Sequence, residues 1–177
     1  MSQQDRGIVI LNYRGAPSTV ATIRDAVIRS QSNLELRTLA EKICKGLRSK
    51  DYLSEALAFY HFVDSHCRYM RDPRTVEFVR SPHIIAKELL DGGRPQLDCD
   101  DLTALLCGLL AITGARCRAT TLAFQHLFYQ GERQFSHVLA QGWEPRTGAW
   151  LTLDPVAGPR TRQMLQRAVA VKFWPIA

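Results

Sequence analysis

Pro95-Gln96-Leu97-Asp98-Cys99-Asp100-Asp101-Leu102 is the stretch from which the rest of the chain can be read. It is polar, sets three carboxylates around one thiol, and opens directly onto an apolar run. Leu102, Leu105, Leu106, Leu109 and Leu110 recur at i, i+3, i+4, i+7 and i+8, which predicts a buried helix over 99–113 with Gly114 as its stop. Gly108 inside it is expected to let a neighbouring element approach closely. A thiol in the first turn of such a helix meets unpaired N–H groups and the positive end of the helix dipole, and both favour its thiolate. Capping and the dipole account for Asp98, Asp100 and Asp101, at about 0.3–1 kcal/mol each. The three lack the ligand spacing of a calcium loop, so no metal and no cofactor is expected. Their negative charge works against ionisation of Cys99.

Working outward toward the N-terminus, the chain reads as helical. Pro17-Ser18-Thr19 opens a helix over 17–30 with Val20, Ile23, Val27 and Ile28 at helical spacing. A second helix is expected over 34–47, with Leu36, Leu39, Ala40 and Ile43 inward. Asp51 can cap a third, whose apolar side would hold Leu53, Leu57, Tyr60, Val63 and Cys67 and which stops before Asp72-Pro73. Ser81-Pro82 predicts an N-cap followed by proline at the first helical position, and Gly92-Gly93 ends that helix.

Beyond Gly114 the pattern changes. Arg116–Phe124 and Phe135–Trp143 read as strands separated by a turn at Gln130-Gly131. A third strand over Ala149–Asp154 follows the turn Pro145-Arg146-Thr147-Gly148. Val169–Trp174 reads as a docked strand, with a partner-binding tail as the alternative. Helices first and an antiparallel sheet last predict an α+β fold: N-terminal helices, then a central cysteine helix packed on the sheet. The 177 residues are expected to form a single domain over 1–177, with a mainly helical part (1–94), a motif region (95–155) and a C-terminal tail (156–177).

Hydrophobic residues make up 46% and charged residues 23%, which excludes a disordered or fibrous chain. No apolar run reaches the roughly 18 residues of a membrane span. The opening MSQQDRGIVILNYRG has no basic leader and only a short apolar stretch, so no signal peptide is expected. Net charge is +6, with 18 arginines against 5 lysines. The arginines are scattered among acids and match no recognition motif. They read as a solvated surface rather than a specific nucleic-acid site. The five cysteines are odd in number and form no CxxC pair, so neither a disulfide framework nor a zinc ribbon is expected. Cys107 and Cys117 look like core residues. The reducing cytosol is the expected compartment on synthesis.

Cys99, His137 and Asp154 form the constellation that can carry chemistry, with intervals of 38 and 17 residues. An imidazole beside a thiol can hold its proton and leave a thiolate. A carboxylate behind the ring fixes its tautomer and stabilises its charge. His137 and Asp154 fall on successive strands joined by a short turn, so antiparallel pairing can bring them together. The backbone N–H of Cys99 is the expected first oxyanion donor, with Tyr69 or Gln96 as the second. Tyr69 as an ordinary buried tyrosine is the competing reading. His61, His66, His83 and His126 match no such pattern.

Leu97–Leu106 followed by Gly114-Ala115-Arg116-Cys117-Arg118 resembles the cysteine-helix motif of the transglutaminase-like superfamily. Phe135-Ser136-His137-Val138 and Trp150-Leu151-Thr152-Leu153-Asp154-Pro155 resemble its histidine and aspartate strands. The blocks occur in order within residues 95–155, about a third of the chain. The resemblance implies a papain-like fold and a Cys-His-Asp triad. The family holds cross-linking enzymes, peptidases, amidases and inactive relatives. Tyr69-Met70-Arg71-Asp72-Pro73, Glu77 and Arg80-Ser81-Pro82 are similar to small members encoded in phages and prophages. Leu139, where many members have tryptophan, and Gln141, where many have an acid, depart from the pattern at positions expected to touch the cleft walls.

The expected function is hydrolysis of an amide or peptide bond in a peptide or protein substrate, through an acyl-thioester on Cys99. The alternative is a structural or assembly component of a phage particle, virion-associated and bound to phage structural proteins, with an inert triad.

Overall fold

The computed structural model describes residues 8–11, 15–71, 77–129 and 131–177, with backbone alone at 8–11 and 77. Asp72, Pro73 and Gln130, where the sequence predicts a helix stop and a turn, lie outside the described residues.

The helix opened by Cys99 runs Cys99–Ile112 and is the fifth of the chain, α5. Every residue from Asp100 to Leu110 is buried. A helix apolar on all sides needs cover on all sides. Helix α1 (Ala16–Ser30), α2 (Leu34–Ile43), α3 (Tyr52–His66) and α4 (Pro82–Leu90) pack against it, as does the main sheet. Full burial of each of its five leucines contributes roughly 1.5–3 kcal/mol. Gly108 meets the expectation of close approach: a Cβ there would lie 2.8 Å from the Pro82 Cβ and 3.3 Å from Leu36. Gly142 does the same from the sheet side, where a Cβ would sit 3.2 Å from Leu110.

The sheet has four antiparallel strands in the order β10-β5-β8-β9. These are β5 (Cys117–Ala123), β8 (His137–Glu144), β9 (Ala149–Leu153) and β10 (Ala170–Pro175). The observed α+β class, with helices on an antiparallel sheet, is the one the sequence predicts. The tail expected to dock does so: Phe173 pairs with Thr120 and Val171 with Leu122. Three two-stranded ladders complete the backbone. They join β1 (Ile8–Leu11) to β3 (Glu77–Arg80), β2 (Arg68–Tyr69) to β4 (Gln96–Leu97), and β6 (Phe128–Tyr129) to β7 (Glu132–Arg133). A 3-10 turn over Gly158–Arg160 leads into α6 (Thr161–Arg167), which the sequence reading missed.

Some local expectations shift. Helix α2 stops at Ile43 rather than at 47, ahead of Gly46, a residue that costs about 1 kcal/mol in a helix interior. Ile28 and Leu57 face solvent. In α3 and its cap Val63 and Cys67 are buried as expected, but the rest of the buried face is Ala56 and Phe59, with Leu53 and Tyr60 half-buried. Ser81 precedes α4 without a side-chain cap, whereas Asp51 caps α3 through the Ser54 N–H. No helix of the described residues is long and apolar enough to cross a membrane.

Candidate active site

Cys99 is the first residue of α5 and is half-buried. The extended backbone of Asp98 sets it there. Asp98 Oδ1 accepts from the N–H groups of Asp100 at 3.1 Å and Asp101 at 3.3 Å. Asp100 Oδ1 accepts from the Asp101 N–H, and Asp101 Oδ1 from the Arg80 N–H at 2.7 Å. The carboxylates lie within 4.8 Å of one another; Asp98 and Asp100 accept from N–H groups of the first turn of α5, as expected of caps, whereas Asp101 turns to the backbone of β3. Asp101 thereby ties β3 to the start of α5. Thr103 Oγ1 donates to the Cys99 carbonyl at 2.7 Å.

His137 begins β8 and Asp154 follows β9 directly. The register Ala140 to Leu153, with the two strands antiparallel, carries these residues to the same end of the pair. His137 Nε2 lies 3.0 Å from Asp154 Oδ2, with the two side chains 8% and 1% exposed. The N–H groups of Val156 and Ala157 donate to Asp154 Oδ1 at 3.1 and 3.3 Å. Both oxygens of a buried carboxylate are thus satisfied, as its burial demands. With Nε2 turned to Asp154, Nδ1 is the ring nitrogen left to act as base toward the open side.

That open side is a cavity of about 280 Å³ lined by Cys99 and His137 together, with Thr19 and Val20 of α1 and Phe135 and Ser136 completing its walls. The fold therefore brings all three residues singled out by spacing into one place: His137 against Asp154, and Cys99 on the same cavity wall.

Tyr69 is 47% exposed, so it is no ordinary buried tyrosine. The parallel β2–β4 ladder pairs it with Leu97, and the Met70 N–H donates to the Leu97 carbonyl, two residues before Cys99. Gln96 pairs with Arg68 in the same ladder and is exposed. Arg71 follows this ladder and is the residue that spacing did not reveal. The Arg71 guanidinium donates a hydrogen bond to the Tyr69 hydroxyl; this bond and the Tyr69 charge raise its pKa, desolvation lowers it, and the charge of Cys99 adds a smaller rise. The charges of Arg71 and Cys99 are thus close enough to interact, and a cation there works against the effect of the aspartates. The signal for it was its place two residues after Tyr69, which no chemical pattern marks.

Cys44, Cys67 and Cys107 are held protonated. Burial, then the Glu55 charge, raises Cys44 to about 11. Burial, then Glu88, raises Cys67 to about 12. Its hydrogen bond with Cys117, and then burial, push Cys107 well above the ordinary range. Leu139 and Gln141 do not touch the cavity. Leu139 is 1% exposed, and Gln141 bonds Arg118, Thr120 and Thr152 within the sheet. The departures from the family pattern therefore fall inside the sheet rather than on the cleft wall. Of the remaining histidines, His83 bonds buried Ser30, His66 stacks on Phe62, His61 packs edge-on against Tyr60, and His126 lies beside Arg133.

No family model and no curated protein matches the chain. Among solved structures, it is similar to a putative protease from Parabacteroides distasonis, with a TM-score of 0.54 at 10% identity over 80% of this chain and 27% of that one. It is also similar to a putative cysteine protease from Cytophaga hutchinsonii, with a TM-score of 0.48 at 17% identity over 96% and 53%. The chain spans about a quarter and about half of the lengths of these two proteins. At such identities the likeness is one of fold, and the first of the two carries it.

Proposed function

We propose that the chain is a cysteine hydrolase of the transglutaminase-like type, cleaving an amide or peptide bond in a peptide or protein. The observation that supports this most directly is the His137–Asp154 pair at 3.0 Å on the cavity that also holds Cys99 at the head of α5. The similarity of fold to a protein described as a protease points the same way.

In this reading His137 Nδ1 takes the Cys99 proton, and Asp154 stabilises the imidazolium through Nε2. The thiolate adds to the substrate carbonyl. The oxyanion forms against the Cys99 N–H, with Tyr69 or Gln96 as the second donor, both carried by the β2–β4 ladder that ends two residues before Cys99. Collapse expels the amine, which takes the proton from His137, and leaves an acyl-thioester. His137 then deprotonates a water that attacks the thioester, releasing the acid and the thiol. Water is the acceptor in this reading because the cavity opens to solvent.

The test is Cys99→Ala. It should abolish both hydrolysis of a peptide library and labelling by iodoacetamide at pH 7. Labelling that persists at the wild-type rate overturns the assignment. The assembly alternative, a phage or prophage component with an inert triad, is weakened because residues 170–175 are paired into the sheet rather than left as a free tail. Association with phage structural proteins by the Cys99→Ala variant, together with an absence of turnover in the wild type, would favour it.

A further inference from the structure

A second cavity, of about 450 Å³, lies on the far side of the turn that holds Asp154. Its apolar floor is Phe124, Val156, Ala157 and Met164, and Arg160 and Arg167 stand on its rim. Arg160, Gln163, Met164 and Arg167 fall at i, i+3, i+4 and i+7, so one face of α6 and its preceding turn builds the wall. This is the spacing of a core-facing stripe, yet its two ends are cationic and the stripe faces open space.

The charge around the cavity is one-sided. Residues 155–177 contain no aspartate or glutamate and four cations, Arg160, Arg162, Arg167 and Lys172. Arg80 is paired with Glu88, and Arg146 with Asp51 and Glu144. Among the described residues, Arg160 and Arg167 meet no carboxylate and make no side-chain hydrogen bond. Two guanidiniums without counterions beside an apolar floor define the chemistry of what fits: an apolar body that carries an anion. The volume lies in the range of about 300–1,000 Å³ typical of small-molecule sites.

We propose that this cavity is a binding site for a small apolar carboxylate, its body on Phe124, Val156 and Met164 and its carboxylate on Arg160 or Arg167. The site has no lining residue in common with the Cys99 cavity and is linked to it through Asp154, which accepts from the N–H groups of Val156 and Ala157 and bonds His137. The shared chemistry can come from a free fatty acid or from the C-terminus of a hydrophobic peptide.

The experiment titrates the full chain with octanoate and with N-acetyl-Leu-Leu, each against its neutral amide, followed by NMR shifts of the Val156 and Ala157 amides and the Met164 methyl. At least one acid should bind and shift these resonances, and its amide should bind at least tenfold more weakly. Which acid binds identifies the source. The double variant Arg160→Gln/Arg167→Gln should weaken that acid at least tenfold with an unchanged melting temperature. Met164→Trp, which narrows the cavity, should weaken acid and amide alike. The proposal is overturned if neither acid binds, if acid and amide bind equally, or if the arginine variant binds as the wild type does. These readouts need no hydrolysis, so they stand apart from the assignment of Cys99.

Discussion

Cys99 and Cys107 sit on one helix, eight residues and about 12 Å apart, and the fold gives them opposite chemistry. Cys99 is at the first turn, on a cavity that His137 also lines, and its charge interacts with that of Arg71. Cys107 is two turns deeper, fully buried and hydrogen-bonded to Cys117, whose own Sγ donates to the Cys107 carbonyl at 3.5 Å. The two thiols differ in surroundings, in depth along the helix and in the charges near them, more than in sequence neighbours. By neighbours alone, Cys99 stands between two aspartates and looks the less reactive of the two.

The sharpest way to break this contrast is to exchange the roles. Cys107→Ala should leave iodoacetamide labelling at pH 7 intact, whereas Cys99→Ala should lower it at least about 100-fold, as read by intact mass. Labelling of Cys107 in the native wild type would erase the distinction. Asp154→Asn should cut hydrolysis by about 10²–10⁴-fold while leaving the melting temperature within a few degrees, because the asparagine carbonyl can still accept from Val156 and Ala157.

Arg71→Gln sharpens the comparison at the Cys99 end. Removing a cation disfavours the thiolate, so the pH profile of alkylation should move to higher pH. The rate should fall about three- to tenfold at pH 6 and converge with the wild type by pH 9. Arg71→Lys should recover most of the loss, and an unmoved profile would show that the guanidinium does not act on the sulfur. The Cys107 end is tested by Gly108→Ala, whose methyl has no room beside Pro82. A loss of about 1–3 kcal/mol in urea unfolding is expected, with labelling of Cys99 unchanged.

The smallest effect is a slope. The folded-state pKa values of Cys44, at about 11, and Cys67, at about 12, lie above the ordinary thiol value of 9.0, and Cys107 is raised as well. Their contribution is complete below pH 9 and is lost as pH rises from there through the folded values. Stability measured by denaturant midpoint should therefore decline from pH 9 upward, and Cys67→Ala should flatten that decline.

Much of this was legible beforehand, for physical reasons. Helix α5 announces itself because its leucines keep a strict helical period and its aspartates mark the N-terminus. His137 and Asp154 could be paired because antiparallel strands with a short turn fix which residues oppose each other. Arg71 was not legible, because its place depends on a parallel two-residue ladder between segments almost 30 residues apart, which no local pattern encodes. Helix α6 escaped because its face lacks a continuous apolar stripe, carrying arginines where leucines would signal burial. The partly shifted face of α3 shows the limit of period-reading when apolar residues occur nearly all round a helix: Leu53, Leu57 and Tyr60 lead into Val63 as plausibly as Ala56 and Phe59 do.

The turn of residues 145–148 between β8 and β9 has a consequence for the order in which the molecule assembles. A hairpin of this kind closes in about 1–10 μs from local contacts alone, and it carries the imidazole and the carboxylate to one end. The sulfur lies 38 residues earlier and reaches them only when the long central helix settles onto the finished sheet, a non-local and slower event. By this order His137 and Asp154 meet through local contacts, and Cys99 joins them only through long-range packing.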